Sequence, residues 1–174
     1  MKVKMKVQAI ALDPVSNSPV MILREEDGDR ALPIWIGLLE ATAIATRLEN
    51  IQFSRPMTHD LMINILDHLR IKIPRIEVCD LRDNTYYALI TLDIDGREVQ
   101  IDARPSDAVA LALRTGAEIW VHEQVLEKSK ALEEAAKAEA QEKEASGVDQ
   151  DQDKEKLKEL LEKLDPSAIS KYKM

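Results

Sequence analysis

The chain has 174 residues, a net charge of −8 and a hydrophobic fraction of 45%, enough for one domain with a real core and something smaller beside it. Acidic side chains outnumber basic ones both before and after Lys130, which argues against a protein that coats nucleic acid along its backbone, since that needs clustered Lys and Arg. No run of roughly 18 apolar residues occurs, so no transmembrane helix is expected.

Residues 2–13 alternate as a long strand, and the N-terminal Lys-apolar alternation lacks the continuous apolar centre of a signal peptide. Asp13-Pro14 ends that strand and Ser16-Asn17-Ser18-Pro19 is turn chemistry. Strands follow at 20–24 and 30–36, joined by a charged turn in which Gly28 is free to take positive φ. Three strands at short spacing predict an antiparallel meander. After Gly37, the spacing of Leu38, Leu39, Ala41, Thr42, Ala45 and Leu48 predicts a helix over 38–50, apolar around most of its circumference and therefore buried. Glu40 and Arg47 are its exceptions.

A second helix opens at Arg55-Pro56-Met57-Thr58-His59-Asp60, with Thr58 as N-cap and Asp60 in the first turn. Leu61, Ile65, Leu66 and Leu69 line one face. Strands are expected at 75–80, 86–94 and 97–104, the last two joined by Asp95-Gly96, a two-residue hairpin signal. A third helix spans 106–114 and stops at Gly116, and a short strand covers 117–121. From Glu123 to Ala145 the composition is nearly all Ala, Glu, Lys and Gln, a strong helix former, with few apolar anchors, Val125, Leu126 and Leu132. An acidic break at 146–153 precedes a leucine stripe, Leu157, Leu160, Leu161 and Leu164, ended by Pro166. The reading is an α+β fold with a mixed or antiparallel sheet, three core helices and a helical C-terminal extension. The domain occupies 1–128 and the extension 129–174.

Much chemistry is excluded. There is no Gly-x-Ser-x-Gly elbow, no Gly-rich phosphate loop and no His or Cys cluster at zinc spacing. The single cysteine, Cys79, cannot form an internal disulfide, and a reducing cytoplasmic location fits. What is left is carboxylates and arginines. Arg55-Pro56-Met57-Thr58-His59-Asp60 and Arg104-Pro105-Ser106-Asp107 echo each other, each an Arg-Pro with a hydroxyl and an Asp before an apolar helix. Capping accounts for the hydroxyls and the Asp residues, not for Arg55 and Arg104. Asp93 and Asp102 fall near each other across the hairpin in this reading. Carboxylates beside hydroxyls are hard oxygen ligands suited to Mg²⁺ or Mn²⁺, and the arginines suit phosphate. The plainer alternative makes Asp95 a turn residue, leaves Asp93 in solvent and pairs Asp102 with Arg104.

Three stretches in this order, Leu32-Pro33-Ile34-Trp35-Ile36-Gly37 with Glu40-Ala41, Arg55-Pro56-Met57-Thr58-His59-Asp60-Leu61, and Asp102 to Ala112, resemble the bifunctional nuclease family over about residues 1–128. The resemblance implies an α+β domain, DNase and RNase activity, a divalent-metal requirement and self-association as a homodimer. Glu40, Arg55, His59, Asp60, Asp102, Arg104, Ser106 and Asp107 stand in those motifs. A low-specificity nuclease on this pattern would use His59, Asp60, Asp102 and Asp107 in catalysis, with Asp102 and Asp107 on Mg or Mn. Arg55, Arg104 and Ser106 would bind substrate. The alternative is a non-catalytic module that binds an anion or a partner.

Overall fold

The computed structural model of the chain describes residues 1–145. The chain divides into two units, Met1–Ala131 and Leu132–Met174. In the second, residues 132–145 are helical, and the acidic break and the leucine stripe lie outside the described residues.

In the first unit, β1 (Lys2–Leu12), β2 (Pro19–Glu25) and β3 (Ala31–Trp35) form the expected antiparallel meander. Helices α1 (Leu38–Leu48) and α2 (Thr58–His68) follow, then β4 (Lys72–Arg82), β5 (Thr85–Ile94) and β6 (Arg97–Ala103). The chain continues through α3 (Pro105–Thr115), β7 (Glu118–His122) and α4 (Glu123–Ala145). One seven-stranded sheet has the order β3-β2-β1-β7-β4-β5-β6. Its pairs are antiparallel except β4 with β7, so the sheet is mixed and the fold α+β.

The pleat sorts the residues. Val3, Val121, Val78 and Ala88 stand side by side across four strands, and Met5, Ile119, Ile76 and Ile90 form the next row on the same face. All eight are buried. Over this face lies α3, in which Ala108, Val109, Ala110, Leu111 and Ala112 are all buried. The intervening row is Lys4, Trp120, Glu77, Leu89 and Asp102. Alternation puts it on the opposite face of the sheet. Among the described residues no helix is long and apolar enough to cross a membrane.

Local chemistry explains where elements begin and end. Asp83-Asn84 and Asp95-Gly96 both take positive φ, the requirement of tight hairpin turns. Pro74 sits inside β4 where the register shifts between Lys72 and Arg75; a bulge tolerates the missing N–H. Gly28 does not take positive φ; the turn is closed by the Glu25 N–H donating to Arg30 O at 2.9 Å. Gly116 does, at φ 73, and its N–H closes α3 onto Ala112 O.

Two helix starts differ from expectation. The N-cap of α2 is Met57, whose N–H donates to Asp60 Oδ2 at 3.0 Å. The N-cap of α3 is Arg104, with Pro105 in the first helical position, where the ring's fixed φ suits a helix and its missing N–H costs nothing. Ser106 is therefore buried inside the first turn and makes no capping bond. Nor are the apolar residues of the helices all covered. Only Ala41 and Ile44 of α1 are buried, while Leu39 is 82% exposed. In α2 no residue is fully buried.

Candidate functional site

Counting from their N-caps, Gly37, Met57 and Arg104, each core helix carries a carboxylate at its third position: Glu40, Asp60 and Asp107. A negative charge there is favoured by the helix dipole. Here the same feature assembles a site, because the first turns of all three helices meet.

Arg104 is the hinge of the assembly. Its Nε donates to Asp107 Oδ2 at 2.7 Å and its Nη1 to Glu40 Oε1 at 2.8 Å. Its side chain is 65% exposed, so the guanidinium stands at the surface with its remaining donors facing water. Asp107 Oδ1 lies 3.1 Å from His59 Nε2, and the His59 side chain is only 14% exposed. Burial opposes ionisation of Asp107, yet Arg104 and then His59 outweigh it and hold the carboxyl below its usual range. An ionised carboxylate can only accept, so the Nε2 facing it carries a proton, and in the neutral form of the ring Nδ1 then keeps the lone pair. The two Arg-Pro corners thus do converge, through His59 and Asp107.

A second cluster lies behind the first. Arg114 Nε donates to Asp60 Oδ1 at 2.6 Å, and its Nη1 donates to the carbonyls of Ala43 and Ala110. This guanidinium is 8% exposed and ties all three helices together. Burial again opposes ionisation of Asp60, but Arg114 and the Met57 N–H keep its carboxyl below the usual range. Arg47 Nε donates to Leu113 O at 3.1 Å. Glu40 and Arg47, the two polar exceptions in α1, both face α3. Thr46, Arg47, Arg55, Asp60 and Arg114 share a cleft of about 300 Å³ walled by the 51–56 segment.

The sequence-based site is partly reassembled. His59, Arg104 and Asp107 come together, with Glu40. Arg55 does not join Arg104; it lines the cleft. Asp60 serves Arg114. Ser106 is covered. Asp102 is the clearest departure: it faces the side of the sheet away from α3, in the row of Glu77 and Leu89, and pairs with neither Arg104 nor Asp107. The strand ends at Ala103 and Arg104 is already an N-cap, so strand alternation does not carry across the corner. Asp93 is four ladder positions from Asp102, about 13 Å along a strand, and its Oδ1 accepts the Gly96 N–H of the turn. Arg114 carries no distinguishing signal in the sequence, because one arginine in a last helical turn reads as ordinary dipole chemistry.

Among the described residues, no three His, Cys, Asp or Glu side chains group as a metal-ligand set. Glu40 and Asp107 meet around a guanidinium, not around an open point, so this donor set does not fit Mg or Mn while Arg104 stands between them.

A family model described as the bifunctional nuclease domain matches residues 21–134. An uncharacterized protein of Mycobacterium tuberculosis is 37% identical over 163 residues, spanning 94% of this chain and 95% of its own length. More distant similarity reaches a rice protein named Bifunctional nuclease 2, 26% identical over 60% of this chain and 33% of the rice protein. An Arabidopsis thaliana protein named Bifunctional nuclease 1 is 27% identical, again over 60% of this chain and 33% of its own length. The match spans about a third of either plant protein.

Proposed function

The chain belongs to the bifunctional nuclease domain family, and from that premise we propose that it hydrolyses phosphodiester bonds in DNA and RNA with little sequence preference, at the meeting point of α1, α2 and α3. The observation that carries the reading is the His59–Asp107 pair with Arg104 beside it. Asp107 orients the imidazole and stabilises the positive charge it gains on taking a proton, while Nδ1 is the nitrogen free to take a proton from an attacking hydroxyl or water. The free donors of Arg104 face the solvent side, where a phosphate oxygen would receive them. Guanidinium recognises the phosphate group, which every sequence shares, and not base edges.

The resemblance implies Mg or Mn at Asp102 and Asp107. Asp107 is already bonded at both oxygens and Asp102 faces away from it, so the two carboxylates do not present a shared point to a metal. The test is cleavage of single-stranded DNA and RNA by purified protein, in EDTA and in added Mg or Mn. Asp107→Asn is expected to lose activity, and Asp102→Asn to stay within about twofold of the parent, as for surface changes away from the chemistry. Cation-dependent cleavage that Asp102→Asn abolishes would restore the metal pair. No cleavage under any condition would favour a non-catalytic anion-binding module.

The homodimer belongs to the same proposal. On α2, Leu61, Met62, Ile65 and Leu69 are all exposed, with Met57 next to them. A contiguous apolar stripe of this kind fits an isologous helix-to-helix pairing of two copies. Light scattering should return about twice the 19.6 kDa chain mass, falling to one chain mass in Ile65→Lys. A parent protein of 19.6 kDa in solution overturns it.

A further inference from the structure

The cleft behind the candidate active site is built unlike the rest of the molecule. In a chain of net charge −8, its walls carry Arg47, Arg55 and Arg114 against one carboxylate, Asp60. Asp60 is matched by Arg114, which leaves two positive charges for a ligand. Arg55 is exposed and makes no hydrogen bond or ion pair among the described residues. Arg47 is held by its Nε alone, so both of its terminal nitrogens stay available. A positive cleft in an acidic protein concentrates anions where the surrounding surface repels them.

The same cleft holds Phe53, the only phenylalanine of the chain. This protein has few aromatic residues to place in its core, yet this ring sits in the segment between α1 and α2 and is 50% exposed. A half-exposed ring beside free guanidinium groups is a stacking surface beside phosphate donors. Asn64, also in the lining, adds an amide that can both donate and accept.

We propose that this cleft is a subsite for one nucleotide of a single-stranded nucleic acid, with its base stacked on Phe53 and its phosphate held by Arg47 and Arg55. The subsite rests on the nuclease reading above and specifies its substrate as single strands. Asp60 lines the cleft and His59, its neighbour in the same helical turn, faces Asp107. Along α3, Asp107 and Arg114 are seven residues apart, about 10 Å at the rise of a helix. A strand bound in the cleft therefore continues within reach of His59. A base inside a duplex is already stacked on both faces and cannot use Phe53. The volume, about 300 Å³, lies at the small end of ligand pockets and suits a single nucleotide unit.

The test is anisotropy of a fluorescent twelve-nucleotide thymidylate strand with phosphorothioate linkages, which resist cleavage. A duplex of the same length and free thymidine monophosphate serve as comparisons. Phe53→Ala should weaken strand binding about tenfold, leave duplex binding unchanged, and be rescued by Phe53→Trp. Arg47→Gln with Arg55→Gln should lower the salt dependence of strand binding by about one to two units of log-log slope. All of these side chains are exposed, so the variants should keep the parent's unfolding transition. Parent-like strand affinity in Phe53→Ala and in the double arginine variant overturns the subsite. Monophosphate binding as tight as the strand overturns the assignment to a strand. The two readings fail separately: if cleavage needs Asp107 but the cleft variants bind normally, only the subsite falls. If the cleft variants lose binding and the parent cleaves nothing, the nuclease reading falls and the cleft stands as a binding site.

Discussion

Replacing His59 with alanine is expected to lower phosphodiester cleavage by about 10²- to 10⁴-fold, the range for loss of a positioned acid–base group, while the protein stays folded. Asp107→Asn should fall in the same range. It keeps a hydrogen-bond partner for Nε2 but loses the charge that fixes the ring proton there, so the basic nitrogen is no longer reliably Nδ1. The structural alternative, in which these groups only fasten helices together, makes a different forecast. Arg104 is 65% exposed, and ion pairs so open to solvent contribute little to stability. A staple of this kind would show small changes in unfolding and none in chemistry. Rates and urea unfolding measured on the same samples separate the two. Because Arg104 and His59 hold Asp107 below the ordinary carboxylate range against the opposing effect of burial, its part in the site should persist in mild acid. His59→Ala cleaving within twofold of the parent would remove this centre from consideration.

Glu77→Ala should be the most damaging single change on the far face of the sheet, at roughly 3 kcal/mol, the low end for an uncompensated buried ion pair. The carboxylate is 2% exposed and receives Lys2 Nζ at 2.7 Å, His122 Nε2 at 3.0 Å and Arg75 Nε at 3.1 Å. Removing it leaves Lys2 and Arg75 facing each other without an anion and His122 without its partner. The two cations themselves reach water, which keeps the loss at the lower end. Burial opposes its ionisation, but Lys2, His122 and Arg75 together pull its pKa from 4.5 down to about 2. A depressed carboxylate stabilises the fold fully above its unfolded value and loses that contribution as pH falls through the folded one. The stability gap between the parent and Glu77→Gln should therefore be widest near neutrality and close between about pH 4.5 and pH 2. Urea unfolding across that window checks it, and a gap that stays constant would show that the carboxylate is not held as charge.

The strands and turns were largely legible in the sequence because their signals are local. Period-two alternation and the Asp95-Gly96 pair specify a ladder without reference to distant residues. The site was legible only in its parts. His59 and Asp107 are 48 residues apart, and Glu40 and Arg104 64, so no spacing rule relates them; the Arg-Pro echo flagged both corners but not which side chains would meet. Asp102 shows where local rules break down. Its pleat position is correct, yet carrying alternation one residue beyond Ala103 joined it to Arg104 when the chain had already turned into a helix. In α2, Leu61, Ile65 and Leu69 do share a face, but periodicity does not say whether a face turns toward the core or away from it.

The sheet order also sets the sequence of events during synthesis. Its centre is β1 beside β7, and the ladder joins Lys2 to His122 and Met5 to Ile119. Among the described strands, β1 is thus completed by β7, the furthest from it in sequence, and the β3-β2-β1 meander must wait with one edge bare while β4 to β7 are made. Long-range closure of this kind folds slowly and keeps an open edge available for wrong pairing. The alternating lysines at Lys2, Lys4 and Lys6 lie along that waiting strand, where charge discourages another chain from docking in the meantime.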